Sequence, residues 1–340
     1  MLLNQRGVNK VGKGEFRENT LLDLVGDCEA IRSHLSVPQW AVVLGGSWGS
    51  TLALAYAQQH PESVKSMILR GVCMLRPEEV NWLLGNSGVA MLDPDGYQEF
   101  CQAVNAIVTD DTNVVVEKYY HKLLSNDPVQ RLEAAKGWMK WEMRVSSIHN
   151  EEKDASASVL VGHWGLWEYQ DAAGKKWIQD DQLPSPAILL EQLKRSVPDS
   201  QRLYQANMLP IQEVSPMVIN SSSSSIAKEE YATFIPSQAM LTCFYSVNYD
   251  YCLNHIDLMC NARMAKVRSI PTIAIHGGLD TTCPVNNALD LSKVWPELEL
   301  RLCSKAGHSM YDAAITNELI HATDRLAQLW ETFSTKGVFE

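Results

Sequence analysis

Apolar residues first recur at three- and four-residue steps from Leu21, with Leu21, Leu24, Val25, Cys28, Ile31 and Leu35 on one face and Asn19 or Thr20 placed as the cap. That spacing predicts an amphipathic helix, which Pro38 ends. Trp40 to Leu44 is instead a short unbroken apolar run, as in a strand covered on both faces, and Gly45-Gly46 follows at once. Ser50 to Gln59, rich in Ala and Leu, predicts a helix closed by His60-Pro61, and Ser66 to Leu69 predicts the next strand. Strand, helix and strand at this spacing imply a parallel pair joined by a right-handed crossover. The pattern returns near the C-terminus, where Pro271 to Ile275 is β-rich and ends in His276-Gly277-Gly278. Leu298, Leu300 and Leu302 alternate with Glu299 and Arg301 as in a strand with one wet face, and a closing helix is predicted from Ala314 to Phe333.

Between these halves, residues 77–266 lack strand alternation and are rich in Trp, Met and helix formers. They predict a mostly helical cap, inserted into a core formed by residues 1–76 and 267–340. Within the cap, residues 150–228 read as a loop-rich insertion, because NEEKDASAS and the run Ser221 to Ser225 look like solvated loops. The fold class is therefore α/β, a mostly parallel sheet flanked by helices with an inserted helical cap.

Composition narrows the function. Apolar residues are 46% and charged residues 20% of the 340, as in a globular enzyme. The net charge of −11, with no basic patch, argues against a nucleic-acid partner. No apolar run approaches the roughly 20 residues that span a bilayer, and the first residues lack the apolar region and cleavage site of a leader, so a cytoplasmic protein with no membrane partner is expected. The eight cysteines include no CxxC pair and no zinc spacing, which suits reduced thiols and no metal.

Gly45-Gly46-Ser47-Trp48-Gly49 matches G-x-S-x-G between a predicted strand and a predicted helix, the context in which a serine nucleophile sits on a sharp turn. Taken alone, the same glycines also suit a turn that binds phosphate or merely packs tightly. A serine hydroxyl needs a histidine base and an orienting carboxylate, which in this arrangement follow in the order serine, acid, histidine. Asp280, after the Pro271 to Ile275 strand, and His308, after the Leu298 to Leu302 strand, meet that order at the carboxyl edge of the sheet. His276, His60 and Asp312 are rivals for these roles, and Asp290 is expected to face solvent.

GGSWGSTLALAYAQQHP resembles the nucleophile region of the proline iminopeptidases, serine peptidases of α/β-hydrolase fold that remove N-terminal proline. Asn4-Gln5-Arg6-Gly7 resembles the family's DQRG turn, Leu69-Arg70-Gly71 its LRG, and Trp138 to Glu142 its W-x-x-W-E. HGGLDTTCP and AGHS resemble its acid and histidine motifs. The resemblance implies a Ser47, His308 and Asp280 triad, an oxyanion donor in the backbone N–H of Trp48, no cofactor, and small peptides with N-terminal proline as substrates. It also implies that Glu142 binds the proline amine, whereas its residue pattern alone reads as a helix glutamate beside two core tryptophans.

Two departures qualify this. Thr242 stands where the resembling stretch carries a second amine-binding glutamate. Met1 begins about where a fourth strand should end, so the early strands and the family's HGGPG loop are expected to be missing, as in a truncated gene model or fragment. An esterase or amidase of the same fold, and a catalytically silent binding protein, therefore stay open. Cys283, three residues past Asp280, reads either as a site of thiol-reagent sensitivity or as a buried cysteine.

Overall fold

A computed structural model of the chain describes residues 3–7, 18–148, 159–163, 166–171, 174–179 and 225–335. Helix α1 (Leu21–His34) starts on Thr20, whose hydroxyl accepts from the Asp23 N–H while the Asp23 carboxylate accepts from the Thr20 N–H, a reciprocal capping box. Leu21, Leu24 and Val25 are its buried stripe. Strand β1 (Val43–Gly46) runs into α2 (Trp48–Gln59) and then into β2 (Met67–Arg70).

β1, β2, β6 (Thr272–Gly277) and β7 (Glu299–Cys303) pair in parallel in that order, so their carboxyl ends share one rim. β1 ends the sheet order, and its Leu44 is exposed. Side-chain alternation divides the core between the two faces. Met67, Leu69, Ala274, Leu300 and Leu302 pack with α1, α2 and α8 (Asn286–Val294), while Ile68, Ile273, Ile275 and Cys303 meet Ile315, Leu319, Ala322 and Leu326 of α9 (Ala313–Thr335).

Two expectations are corrected. The wet face predicted for β7 is dry: Glu299 and Arg301 are buried, paired with each other and with Glu318 and Arg325 of α9. A charge can occupy a covered strand face when the covering helix brings its counter-charge, and strand periodicity does not register that helix. The segment expected to lack strands contains three: β3 (Val159–His163), β4 (Leu166–Asp171) and β5 (Gly174–Gln179). β3 pairs antiparallel with β7, and β4 and β5 extend the sheet as a meander. Val159, Val161, Trp167, Tyr169, Trp177 and Ile178 supply the β propensity. Residues 150–158 and 221–224, read as loops, lie outside the described residues, and Ser225 begins a helix.

Helices α3 (Pro77–Leu84), α4 (Pro94–Gln102), α5 (Thr112–Leu123), α6 (Pro128–Ser147) and α7 (Ser225–Val247) build a second apolar cluster. Its centre is aromatic. Phe100 stacks on Tyr119 and on Trp141, and Tyr119 meets the edge of Trp138. Trp48, Leu52 and Leu75 pack against both this cluster and the helix-covered face of the sheet, joining the helical layer to the rim.

Candidate active site

β1 ends and α2 begins within one residue, and that residue is Ser47, at φ 55° and ψ −125°. A side chain at positive φ is strained, and it persists only where the surroundings fix the turn. Here the Ser47 N–H donates to the Arg70 carbonyl at 2.8 Å, and the Ser47 carbonyl accepts from the Ser50 N–H at 2.8 Å and the Ser50 hydroxyl at 2.6 Å. Two positions before the serine only glycine fits, because a Cβ on Gly45 would lie 2.0 Å from the Gly49 carbonyl oxygen. The turn thus lifts the Ser47 hydroxyl to the rim, where its Oγ has the Cys283 Sγ at 4.0 Å.

Asp280 lies in the loop after β6, its carboxylate almost wholly buried. Oδ1 accepts from the backbone N–H groups of Thr282 at 3.0 Å and Cys283 at 2.8 Å, and Oδ2 accepts from His308 Nδ1 at 2.8 Å. Burial alone would push the carboxyl up, but His308, His276 and the Cys283 N–H together hold it below its ordinary value. An ionised Asp280 therefore holds the Nδ1 proton of His308 and leaves Nε2 with its lone pair. The loops that carry acid and histidine are stitched together by Leu279 N–H to Ala306 carbonyl and Gly278 N–H to Cys303 carbonyl bonds.

Asp280 and His308 are brought together; Ser47 shares their rim but has no hydrogen bond to His308. The Arg70 guanidinium stands at Nε2 instead. Its Nη1 donates to the His308 carbonyl at 2.8 Å and lies 3.3 Å from Nε2, close over Gly46. Burial is the main pull lowering the Arg70 pKa, and the nearby Asp280 charge opposes it.

The rivals hold other positions. His276, fully buried, accepts from the Val72 N–H on Nδ1 and donates from Nε2 to the Cys283 carbonyl, and burial depresses its pKa, so it serves as a neutral brace under the acid loop. Asp312 accepts from the Gly307 and Ala314 N–H groups, and Asp290 pairs with Arg76 and Lys293. His60 lies between α2 and a following turn, with Glu62 near it.

Trp48 occupies the first position of α2, next to Ser47, where the N–H has no intrahelical acceptor. Its indole stacks on Tyr245 of α7 at 4.7 Å and donates to Gln5, while Gln5 donates to the Tyr245 hydroxyl and that hydroxyl to Asn19. Gln5, Tyr245 and Arg70 were not singled out as site residues; the polar NQRG turn and a charged residue ending an apolar strand were the signals available.

Over the rim, α6 and α3 are tied to the acid loop, since the Thr281 hydroxyl donates to the Val145 carbonyl of α6 and Trp82 Nε1 of α3 to the Thr281 carbonyl, each at 2.7 Å. Glu142 on α6 accepts from Trp138 Nε1 at 2.8 Å, and Thr242, whose hydroxyl donates to the Gln238 and Ala239 carbonyls at 3.3 Å, lies nearby. Desolvation raises its pKa to about 7 against the hydrogen bond from Trp138, although the residue keeps some exposed surface. Among the described residues no cation pairs with Glu142 and no cluster of three or more His, Cys, Asp or Glu side chains could hold a metal ion. No helix among them is long and apolar enough to cross a membrane.

Comparison with known proteins gives a concordant result. The α/β hydrolase fold family matches residues 1–314. A probable proline iminopeptidase of Leptolyngbya boryana is 31% identical over 96% of this chain and 77% of its own length. The proline iminopeptidase of Arabidopsis thaliana is 30% identical over 97% of this chain and 67% of its own, and that of Neisseria gonorrhoeae 29% identical over 95% and 78%.

Proposed function

We infer that the chain, which belongs to the proline iminopeptidase family of the α/β-hydrolase fold, is a serine hydrolase that releases N-terminal proline from peptides. The observation that carries the reading is the 2.8 Å contact of His308 Nδ1 with a buried, ionised Asp280 on the rim that also holds the strained Ser47.

In the proposed reaction the Arg70 guanidinium first leaves Nε2, because that lone pair must receive the Ser47 proton. Ser47 Oγ then attacks the proline carbonyl, and the Trp48 N–H meets the charge that develops on oxygen. His308 passes its proton to the departing amine, and water hydrolyses the acyl-enzyme by the same base. Asp280 stabilises the imidazolium in both halves. Helices α3 to α7 act as a cap that carries the amine site, while β3 to β5 belong to the sheet, and eight free thiols suit a cytosolic setting.

Glu142 supplies selectivity for a free N-terminus. A desolvated carboxylate without a cationic partner favours an ammonium, and a blocked amine leaves it unpaired. Thr242 beside it adds a hydroxyl where the resembling stretch carries a second acid, so one charge does the work here. That single charge is the observation favouring a second reading, an esterase or amidase of broader substrate range.

Glu142→Gln separates the two. For a proline arylamide, kcat/KM is expected to fall roughly 30-fold, the size of a lost charge-assisted contact, while an acyl ester without an amine keeps its rate. Both substrates falling equally would overturn the assignment. The pH dependence gives a second handle. Glu142 must be ionised to bind the amine and its pKa in the free protein is raised to about 7, so the wild-type ratio of proline amide to ester turnover should climb as pH rises through that value. In Glu142→Gln the ratio should be flat across that value.

A further inference from the structure

His276, the next-to-last residue of β6, carries no step of the reaction, yet its fully buried ring uses both nitrogens. Nδ1 accepts from the Val72 N–H at 3.0 Å, Nε2 donates to the Cys283 carbonyl at 2.8 Å, and Nε2 also lies 3.7 Å from Asp280 Oδ2. These partners belong to different parts of the site. Cys283 is in the acid loop, and its own N–H donates to Asp280 Oδ1 at 2.8 Å, so the ring grips one end of this residue and the acid the other. Val72 is in the segment after β2. Gly71 before it, at φ 53°, lies so close to the acid-base pair that a Cβ there would be 3.2 Å from His308 Cε1 and 3.4 Å from Asp280 Oδ2. Cys73 after it donates from its N–H to the Ser50 hydroxyl at 3.0 Å, and that hydroxyl donates to the Ser47 carbonyl at 2.6 Å. His276 thus links the backbone that seats the nucleophile to the loop that seats the acid.

We propose that His276 is a positioning residue for the hydrolysis, holding Asp280 in register with Ser47 through the bond from its Nε2 to the Cys283 carbonyl. The proposal rests on Ser47, His308 and Asp280 as nucleophile, base and acid, and is independent of the preference for proline.

The surroundings make the donor side of the ring the one that governs rate. Val72 keeps other tethers without His276, because its carbonyl accepts from Asn287 Nδ2 at 3.1 Å and the Gly71 N–H before it donates to the Ile275 carbonyl at 3.0 Å. The Cys283 carbonyl has His276 as its one hydrogen-bond donor among the described residues. Without that donor the peptide whose other end fixes Asp280 Oδ1 is free to shift, and the carboxylate shifts with it away from His308 Nδ1. A displacement of about 1 Å in a reacting group costs on the order of 100-fold in rate.

Two substitutions take the contacts apart. In His276→Gln the amide nitrogen stands where Nε2 was and still donates to Cys283, whereas in His276→Asn the amide oxygen stands where Nδ1 was and still accepts from Val72. Each variant loses one buried hydrogen bond, so comparable falls in melting temperature are expected from the two.

The test measures the rate of Ser47 labelling by a fluorophosphonate, together with a thermal melt, for wild type, His276→Gln, His276→Asn, Asp280→Asn and the double variant carrying His276→Asn and Asp280→Asn. The expected result is a fall of about 100-fold in His276→Asn and a rate within about fivefold of wild type in His276→Gln. Adding His276→Asn to Asp280→Asn should cost less than about threefold more, because effects that pass through one residue do not multiply. The proposal is overturned if the two single variants are slowed alike, if His276→Asn keeps the wild-type rate, if either variant fails to fold, or if the loss in His276→Asn reappears in full on Asp280→Asn. A wild type that is not labelled at Ser47, or labelling that Asp280→Asn leaves unchanged, overturns the triad reading and the proposal with it. A wild type labelled at Ser47 and slowed by Asp280→Asn keeps that reading whichever way the His276 variants fall.

Discussion

Ser47→Ala is expected to lower kcat for a proline arylamide by roughly 10⁴- to 10⁶-fold, with KM and the unfolding midpoint little changed. The size follows from the role assigned to Oγ, which forms the covalent bond in the first half of the reaction and is replaced by no other group at the turn. The small effect on stability follows from the contacts: among the described residues the only polar partner of Oγ is the Cys283 sulfur at 4.0 Å, while the bonds that fix the turn belong to the Ser47 backbone and to Ser50. Steady-state kinetics with a thermal melt of the same preparation reads both quantities. A variant that folds and keeps its rate would remove Ser47 from the mechanism.

Asp280→Asn should cost about 10⁴-fold in kcat, through the proton on His308 rather than through misfolding. Asp280 Oδ1 already accepts two backbone N–H groups, from Thr282 and Cys283, and only an oxygen can stay there. The asparagine amide nitrogen must then turn towards His308 Nδ1, which becomes an acceptor, and the ring proton moves to Nε2. Nε2 is the atom that has to take the Ser47 proton, so the base is lost with its position intact. The same substitution changes acid stability. The folded-state pKa of Asp280 is lowered, so its contribution to stability is complete above the unfolded value of about 3.9 and disappears as pH falls through the folded value. The wild-type melting temperature should drop across that window more steeply than that of Asp280→Asn.

Sequence was a good guide where local chemistry sets the conformation. The glycines around Ser47, the apolar strand before it and the loops after β6 and β7 place Ser47, Asp280 and His308 on one rim, because parallel strands leave their carboxyl ends together. It was a poor guide where a side chain's role depends on a partner brought in by the fold. Glu299 and Arg301 alternate like residues on an exposed face, and only Glu318 and Arg325 on a distant helix make them buried ion pairs. Arg70 reads as the polar end of an apolar strand, yet it reaches across to the histidine loop and covers Nε2. Glu142 carries no local mark of a ligand-binding acid; resemblance suggested it, and the structure adds the desolvation that raises it to about 7. The strands β3 to β5 were missed for another reason: residues 150–228 were read as a loop-rich insertion from the polar run before β3 and the serine run that follows, although Val159, Val161, Trp167, Tyr169, Trp177 and Ile178 carry β propensity.

Arg70 also connects the structure to the reaction. As described, the histidine lone pair faces a guanidinium and not a hydroxyl, so the chemistry requires Ser47 to gain access to Nε2 when substrate binds. Labelling wild type and His308→Ala with a fluorophosphonate, followed by identification of the modified peptide, reads that access directly. The account predicts an adduct on Ser47 in wild type and its loss, or a fall of about 1,000-fold in rate, in His308→Ala. An adduct on another residue, or equal labelling of Ser47 in the two proteins, would contradict it.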